Sequence, residues 1–300
     1  MGKLAKLYKY RALGGASAEF TLDILANDRI WFAAPSSFND PFDCKLPVPT
    51  QFSPETWKAL LPRLFPGTGI DLSDWNPQSD PPEKLKALVD LLATLTHAPR
   101  GASFDEVLSF MARGLVARAA AQVDEAAGVL SLSALPDNML MWSHYADCHR
   151  GICLELDVDA ARLPRLSPVH YANDNPGFDE AVEAIALHQW NAERPGLLAD
   201  MAYKVIANDL DRSSIYYWTG QWLYAKSADW SYEQEWRSVL DRSGHFEFPA
   251  EALTGVIIGC SVRDESIDLL DQAFKRRQRT PAIYRARRKN GVFGLDIVEV

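Results

Sequence analysis

The chain has little cysteine, no long apolar run and no excess of positive charge. Its four cysteines, Cys44, Cys148, Cys153 and Cys260, show neither disulfide-framework spacing nor a Cys-x2-Cys knuckle. A disulfide-stapled scaffold is excluded, and reduced thiols in a cytoplasm are expected. No stretch reaches the roughly 20 apolar residues of a membrane span. The basic residues near the start have no apolar segment behind them, as a signal peptide requires. A soluble cytoplasmic protein with no membrane partner is the expectation. The net charge of −9 argues against a broad electrostatic footprint on nucleic acid. It leaves room for a local groove, because eight of the residues from 275 to 289 are Lys or Arg. The plain reading of that run is a solvated helix face followed by a strand edge.

Internal repeats are also missing, and so is a regular alternation of strand and helix. What the chain does have is 47% hydrophobic residues over 300 positions, enough for a sizeable core. Alternation predicts strands at residues 7–11 (LYKYR), 30–33 (IWFA), 129–133 (VLSLS) and 151–157 (GICLELD). Later strands are expected at 255–259, 282–287 and 293–298. Helices are expected at 19–27, 139–145, 178–211 and 264–277. Residues 50–83 are rich in Pro, Asp and Ser, with a short helix at 54–65, and 82–97 and 103–127 have helical spacing. The irregular mixture predicts an α+β fold. Residues 1–300 read as one domain with a helical insertion at 46–127.

Four blocks carry a resemblance. They are LYKYR at residues 7–11, IWFAAPSSFNDPFD at 30–43, LSLSALPDNMLMWSHYADCHRGICLELD at 130–157 and KSADWSYEQEWR at 226–237. In this order they resemble the bacterial family called domain of unknown function 2971. That family name implies no activity.

A second resemblance does. Arg11 on an opening strand, Ser131-Leu132-Ser133 in the middle and Glu233-Gln234-Glu235 late in the chain resemble the ordered site residues of ADP-ribosyltransferases. Leu132 stands where that family has Thr. The resemblance implies an ADP-ribosyltransferase-like mixed sheet and NAD as substrate. The acceptor would be a macromolecule, protein or nucleic acid, or water. Such an activity suits a toxin or phage-defence effector. Breaking the nicotinamide–ribose bond builds positive charge on the sugar, which a carboxylate stabilises. Glu235 would take that part and Glu233 would orient or deprotonate the acceptor. Arg11 would grip the diphosphate with its planar fork. Trp142 or Tyr145 would stack on the nicotinamide, with Tyr8, Asn39, Asp40, Ser131, Ser133 and His144 completing the NAD site.

Other readings stand beside this one. Ser231 and Gln234 fit a capping box, which would make Glu233 and Glu235 part of a helix's first turn. As a strand, the same residues put Glu233, Glu235 and Arg237 on one face, where ion pairing is the structural alternative. Asn39-Asp40-Pro41 reads as a turn that could also line a cleft. His144, Cys148, His149 and Cys153 could be taken as metal ligands, although a buried histidine and a packed strand cysteine account for the same residues. Asp147, Glu155 and Asp157 offer an alternative function, a magnesium-dependent nuclease. Their bland reading is the polar face of a half-buried strand. A non-catalytic module using Trp218, Trp222 and Tyr224 is the third reading, against which stands an ordinary aromatic core.

Overall fold

In the first strand, β1 (Lys6–Arg11), Leu7 packs into one core and Tyr8 and Tyr10 into the other. The computed structural model describes residues 5–15, 18–45, 82–87, 90, 106, 121, 124–173, 222–277 and 279–300. In chain order β1 is followed by helix α1 (Ala18–Asn27), β2 (Arg29–Phe32), β3 (Gly128–Ser133) and helix α2 (Met139–Tyr145). Next come β4 (Ile152–Asp157), α3 (Val158–Ala161), β5 (Ser167–Pro168), β6 (His170–Ala172), β7 (Ala225–Ser227) and β8 (Glu235–Leu240). The chain closes with β9 (Gly244–Glu247), β10 (Leu253–Ile258), α4 (Asp264–Phe274), β11 (Ala282–Arg288) and β12 (Leu295–Glu299).

Eight strands form one mixed sheet in the order β12-β11-β10-β4-β1-β3-β8-β5. Within it β10 and β11 are parallel, joined through α4, while the other pairs are antiparallel. Two small sheets, β2-β9 and β6-β7, accompany it. The fold is therefore mixed α+β, as expected from the sequence. The short strands, α2 and α4 lie where alternation and apolar spacing put them, to within a few residues at each end. The segments expected to be helical at 54–65 and 178–211 lie outside the described residues, as does most of the insertion at 46–127.

Each face of the large sheet has its own core. Leu7, Leu130, Leu132, Leu154, Leu156 and Val256 pack with Ile24 and Leu25 of α1 and Leu270 and Ala273 of α4. On the opposite face Tyr10, Cys153, Ile257 and Ala286 pack with Met141, Trp142 and Ala146 of α2. Strand β4 lies between β1 and β10 and is covered on both faces, so Glu155 is buried too. The half-buried strand expected there is corrected. Glu155 is kept by polar partners: it accepts from Lys6 Nζ and Thr254 Oγ1, each at 2.7 Å. Fully burying one large apolar side chain contributes roughly 1.5–3 kcal/mol, which is why α2, only seven residues long, holds its place through Trp142.

By contact density the chain divides into two compact units. The sheet, its helices and both cores belong to the unit made of residues 1–43, 126–173 and 224–300. The other comprises residues 44–125 and 174–223. Within it Lys45 pairs with Asp124, and Cys44 and Trp222 are buried. None of the four cysteines is in a disulfide. Among the described residues no helix is long and apolar enough to cross a membrane.

Candidate active-site cleft

The site is built outward from a buried arginine. Arg237 on β8 has no exposed side-chain surface. Its Nη2 lies 2.8 Å from both Asp43 carboxylate oxygens, and its Nε donates to Glu235 Oε1 at 2.8 Å. A turn supplies Asp43. Asp40 Oδ1 accepts from the Phe42 amide at 2.9 Å, the Asx geometry that reverses a chain at such sequences. Asp40 therefore shapes the loop that delivers Asp43, its carbonyl also accepting from the Asp43 amide.

Glu233 and Glu235 lie on neither a helix start nor a single strand face. Residues Ala228–Glu233 form a 3-10 helix whose N-cap is Ser227, whose side chain accepts from the Asp229 amide. Gln234 then takes a left-handed conformation, φ 43°, and β8 starts at Glu235. Both the capping box at Ser231 and the continuous strand are thereby corrected. The tight 3-10 turns wind the Trp230 and Tyr232 segment, and the one left-handed residue redirects the chain into the sheet. Even so, the two carboxylates converge. Lys226 Nζ lies 2.6 Å from Glu233 Oε2, 3.1 Å from Glu235 Oε2 and 3.5 Å from Asp43 Oδ2.

Three carboxylates thus face two cations in a buried cluster. Burial works against the charge on Glu235, but Arg237 above all, then Lys226 and a hydrogen bond from Ser131, outweigh it and hold its pKa down at about 2. Burial raises Glu233, with Lys226 and the Tyr145 hydroxyl pulling against it. Burial alone would lower Lys226, and Glu235, Glu233 and Asp43 together reverse that.

The sheet registers Ser131 opposite Arg237 and Ser133 opposite Glu235, so both serines border the cluster. Ser133 Oγ donates to the Glu233 carbonyl at 2.7 Å. From β1, Lys9 Nζ donates to the Ser131 carbonyl at 2.7 Å. The strands β1 and β3 share one backbone bridge, Tyr8 to Ser133, and the Lys9 side chain satisfies the β3 oxygen just beyond it. Burial and the nearby Arg11 push the Lys9 ammonium down to about 7, against the pull of Glu235 and Glu233.

Helix α2 supplies the other wall. Its N-cap Asn138 accepts from the Leu140 and Met141 amides and donates to the Tyr232 carbonyl at 2.7 Å, which ties α2 to the 3-10 segment. As a result Tyr145 donates to Glu233 Oε1 at 2.7 Å, and His144 Nδ1 sits 3.1 Å from the Tyr232 hydroxyl. Trp230 lies tilted beside Tyr232, ring centres 6.0 Å apart, and Lys226 Nζ is 4.9 Å from the Trp230 ring centre. After α2, Asp147, Cys148 and His149 run through left-handed conformations in succession. The run ends at His149, and at Gly151 the chain passes so close to β1 that an added Cβ would come within 2.1 Å of the Arg11 carbonyl.

Lys9, Arg11, His144, Tyr145 and Asp147 line one open cavity of about 480 Å³. Arg11 also donates to Thr21 of α1 at 3.2 Å. The structure brings Arg11, Ser131, Ser133, His144, Tyr145, Glu233 and Glu235 into one neighbourhood. It places others elsewhere. Trp142 is core: fully buried, edge-on to Tyr10 at 5.3 Å, its indole donating to the Pro136 carbonyl, so it cannot stack on a ligand. Tyr8 turns to Glu155 on the other side of β1. Sequence reasoning missed Lys9, Asp43, Lys226 and Tyr171, whose hydroxyl accepts from the Glu235 amide at 2.8 Å. A lysine between two tyrosines on a strand was the available signal for Lys9.

The residues of the nuclease reading each serve local structure. Asp147 pairs with Arg150, Glu155 with Lys6, and Asp157 caps α3 through the Ala160 amide. Among the described residues no three His, Cys, Asp or Glu side chains are grouped to hold a metal ion.

Two outcomes follow. Arg237→Met strands Asp43 and Glu235, and the loss of stability is expected to be about 3–5 kcal/mol; adding Asp43→Asn should recover part of it in denaturant unfolding. A lysine whose folded pKa is lowered contributes stability that is greatest above its ordinary value of 10.5 and is lost as pH falls through about 7. Wild-type stability relative to Lys9→Met should therefore rise with pH across that window, and urea midpoints at each pH measure it. Parallel curves would remove Lys9 from the buried cluster.

No curated protein and no solved structure matches the chain. A family model does. Residues 141–238, which include all of β4, most of α2 and β8, and Lys226 and Glu233, match the family described as protein of unknown function, DUF2971, while the blocks at 7–11 and 30–43 lie outside the match.

Proposed function

We propose that this cleft binds NAD and breaks its nicotinamide–ribose bond, passing ADP-ribose to a macromolecular acceptor or to water. One observation carries the reading. Arg11 and Lys9 from β1 and His144 and Tyr145 from α2 line a single cavity, and Tyr145 is hydrogen-bonded to Glu233.

Each group has a part suited to its chemistry. Arg11 meets the diphosphate, since a guanidinium presents paired donors in a fixed plane. Lys9 adds a second cation when protonated. The faces of Tyr145, His144 and Tyr232 suit the flat nicotinamide ring. The bond between the ribose anomeric carbon and the nicotinamide nitrogen breaks with its electron pair going to nitrogen, so nicotinamide leaves neutral. Positive charge then grows on the sugar and needs a carboxylate beside it. Glu233 supplies it once substrate displaces the Tyr145 hydroxyl. Glu235, held by Arg237 and Ser131, positions Lys226 and through it Glu233. The acceptor's lone pair forms the new bond to the anomeric carbon, and its proton passes to Glu233 or to solvent.

The test is nicotinamide release from NAD by purified protein, with and without a bacterial lysate as acceptor. Glu233→Gln should lower release by about a hundredfold or more, the scale on which a charge-stabilising group acts. Arg11→Gln should act mainly on KM. Asp157→Ala removes only the cap of α3 and should leave release unchanged. A folded protein that releases no nicotinamide with any acceptor contradicts the proposal, as does release that survives in Glu233→Gln.

A further inference from the structure

The basic run of residues 275–289 does not stay together in the fold. Arg277 is spent internally, its Nη1 on the Ile24 and Leu25 carbonyls that end α1 and its Nη2 on Asp28. Arg276 lies at a cavity beside α1. Four others gather on β11 and the residue after it. Arg285, Arg287, Arg288 and Lys289, with Asn290 and Cys260, line an open cavity of about 660 Å³, with no acidic residue in that lining among the described residues. The nearest acid is Asp296, opposite Arg287 on β12 and 3.6 Å from Lys289. One carboxylate does not neutralise four cations, so the patch is positive on a chain whose net charge is −9.

The β11–β12 turn adds an aromatic group. Phe293 is 98% exposed and Val292 64% exposed. A bare phenylalanine ring costs solubility and does nothing for packing. On the turn that follows these cations in the chain, it supplies the combination that single-stranded nucleic acid uses: phosphates on the cations and a base on the ring. Anionic lipid would meet the same cations, and it is their alignment with the Arg11 cleft that favours a flexible strand.

Position in the sheet adds a second argument. Arg11 pairs with Ile152, Ile152 with Ile258, and Ile258 with Arg285, so Arg11 and Arg285 stand in one row. Three strand spacings separate them, about 14 Å. Both cavities therefore open at the same end of the sheet, where β1, β10 and β11 all have their C-terminal ends. The loop after β10 is joined to the turn after α2 by the Gly259 and Ser261 amides, which donate to the Gly151 and His149 carbonyls.

We infer that the β11 cavity and the Phe293 turn form a binding site for a single-stranded polynucleotide, which is sequence-tolerant and runs toward the Arg11 cleft. The inference is independent of NAD chemistry, because strand binding is read without NAD. The experiment is fluorescence anisotropy of the full chain with labelled fifteen-residue oligo-dT and oligo-U at low salt. Binding should weaken with salt, with a slope of about −2 to −3 for three to four phosphate contacts. The triple variant Arg287→Glu, Arg288→Glu, Lys289→Glu should weaken it by about tenfold or more, and Phe293→Ala by about fivefold or more. Because these side chains are exposed, both variants should keep the wild-type melting temperature. Absence of saturable binding, or binding that neither variant weakens, overturns the inference. So does binding to vesicles containing phosphatidylserine without binding to either oligonucleotide.

Discussion

Arg237 is fully buried because two carboxylates, Asp43 and Glu235, meet its guanidinium from different parts of the chain. Removing charges from water is expensive, and only close geometry with satisfied partners repays the cost. That requirement fixes much else. Asp43 must arrive from the turn after β2, Glu235 must open β8, and Lys226 must stand where it can serve three carboxylates at once. Glu233 is then placed by Lys226 on one side and Tyr145 on the other. The polar cluster thus determines how α2 and the 3-10 segment meet, and their meeting defines the wall of the cleft.

The balance of charge has a chemical consequence. With all three ionised, Asp43, Glu233 and Glu235 exceed Lys226 and Arg237 by one negative charge, and Lys9 feels the pull of Glu235 and Glu233. Its depressed pKa, about 7, puts its titration within the physiological range.

The strands and α2 were legible because their patterns are local. Leu7 and Tyr10 already face opposite ways in LYKYR, and MLMWSHY has an apolar face and a capping asparagine before it. The Glu233-Gln234-Glu235 segment was not legible, because its form depends on one residue. Gln234 in a left-handed conformation separates a 3-10 helix from a strand, and a glutamine carries no sequence signal for that. Of these residues, Arg11, Ser131 and the two glutamates were singled out by their order along the chain, and Tyr145 as an aromatic beside them. Asp43, Lys226 and Lys9 were not, since their importance comes from Arg237 and from partners up to 194 residues away. Trp142 misled because an aromatic beside a histidine suits a ligand site as well as it suits a core, and only the fold separates the two.

The central claim is that a ligand of the NAD type enters over α2 and not at the larger cavity beside α1, which His245 lines. The most direct measurement is a titration of the protein with NAD followed by the imidazole proton signals of His144 and His245 in NMR, each assigned by substitution. The account predicts saturable shifts at His144 with His245 unmoved. Shifts at His245 with His144 unmoved, or no shift at either, would contradict it.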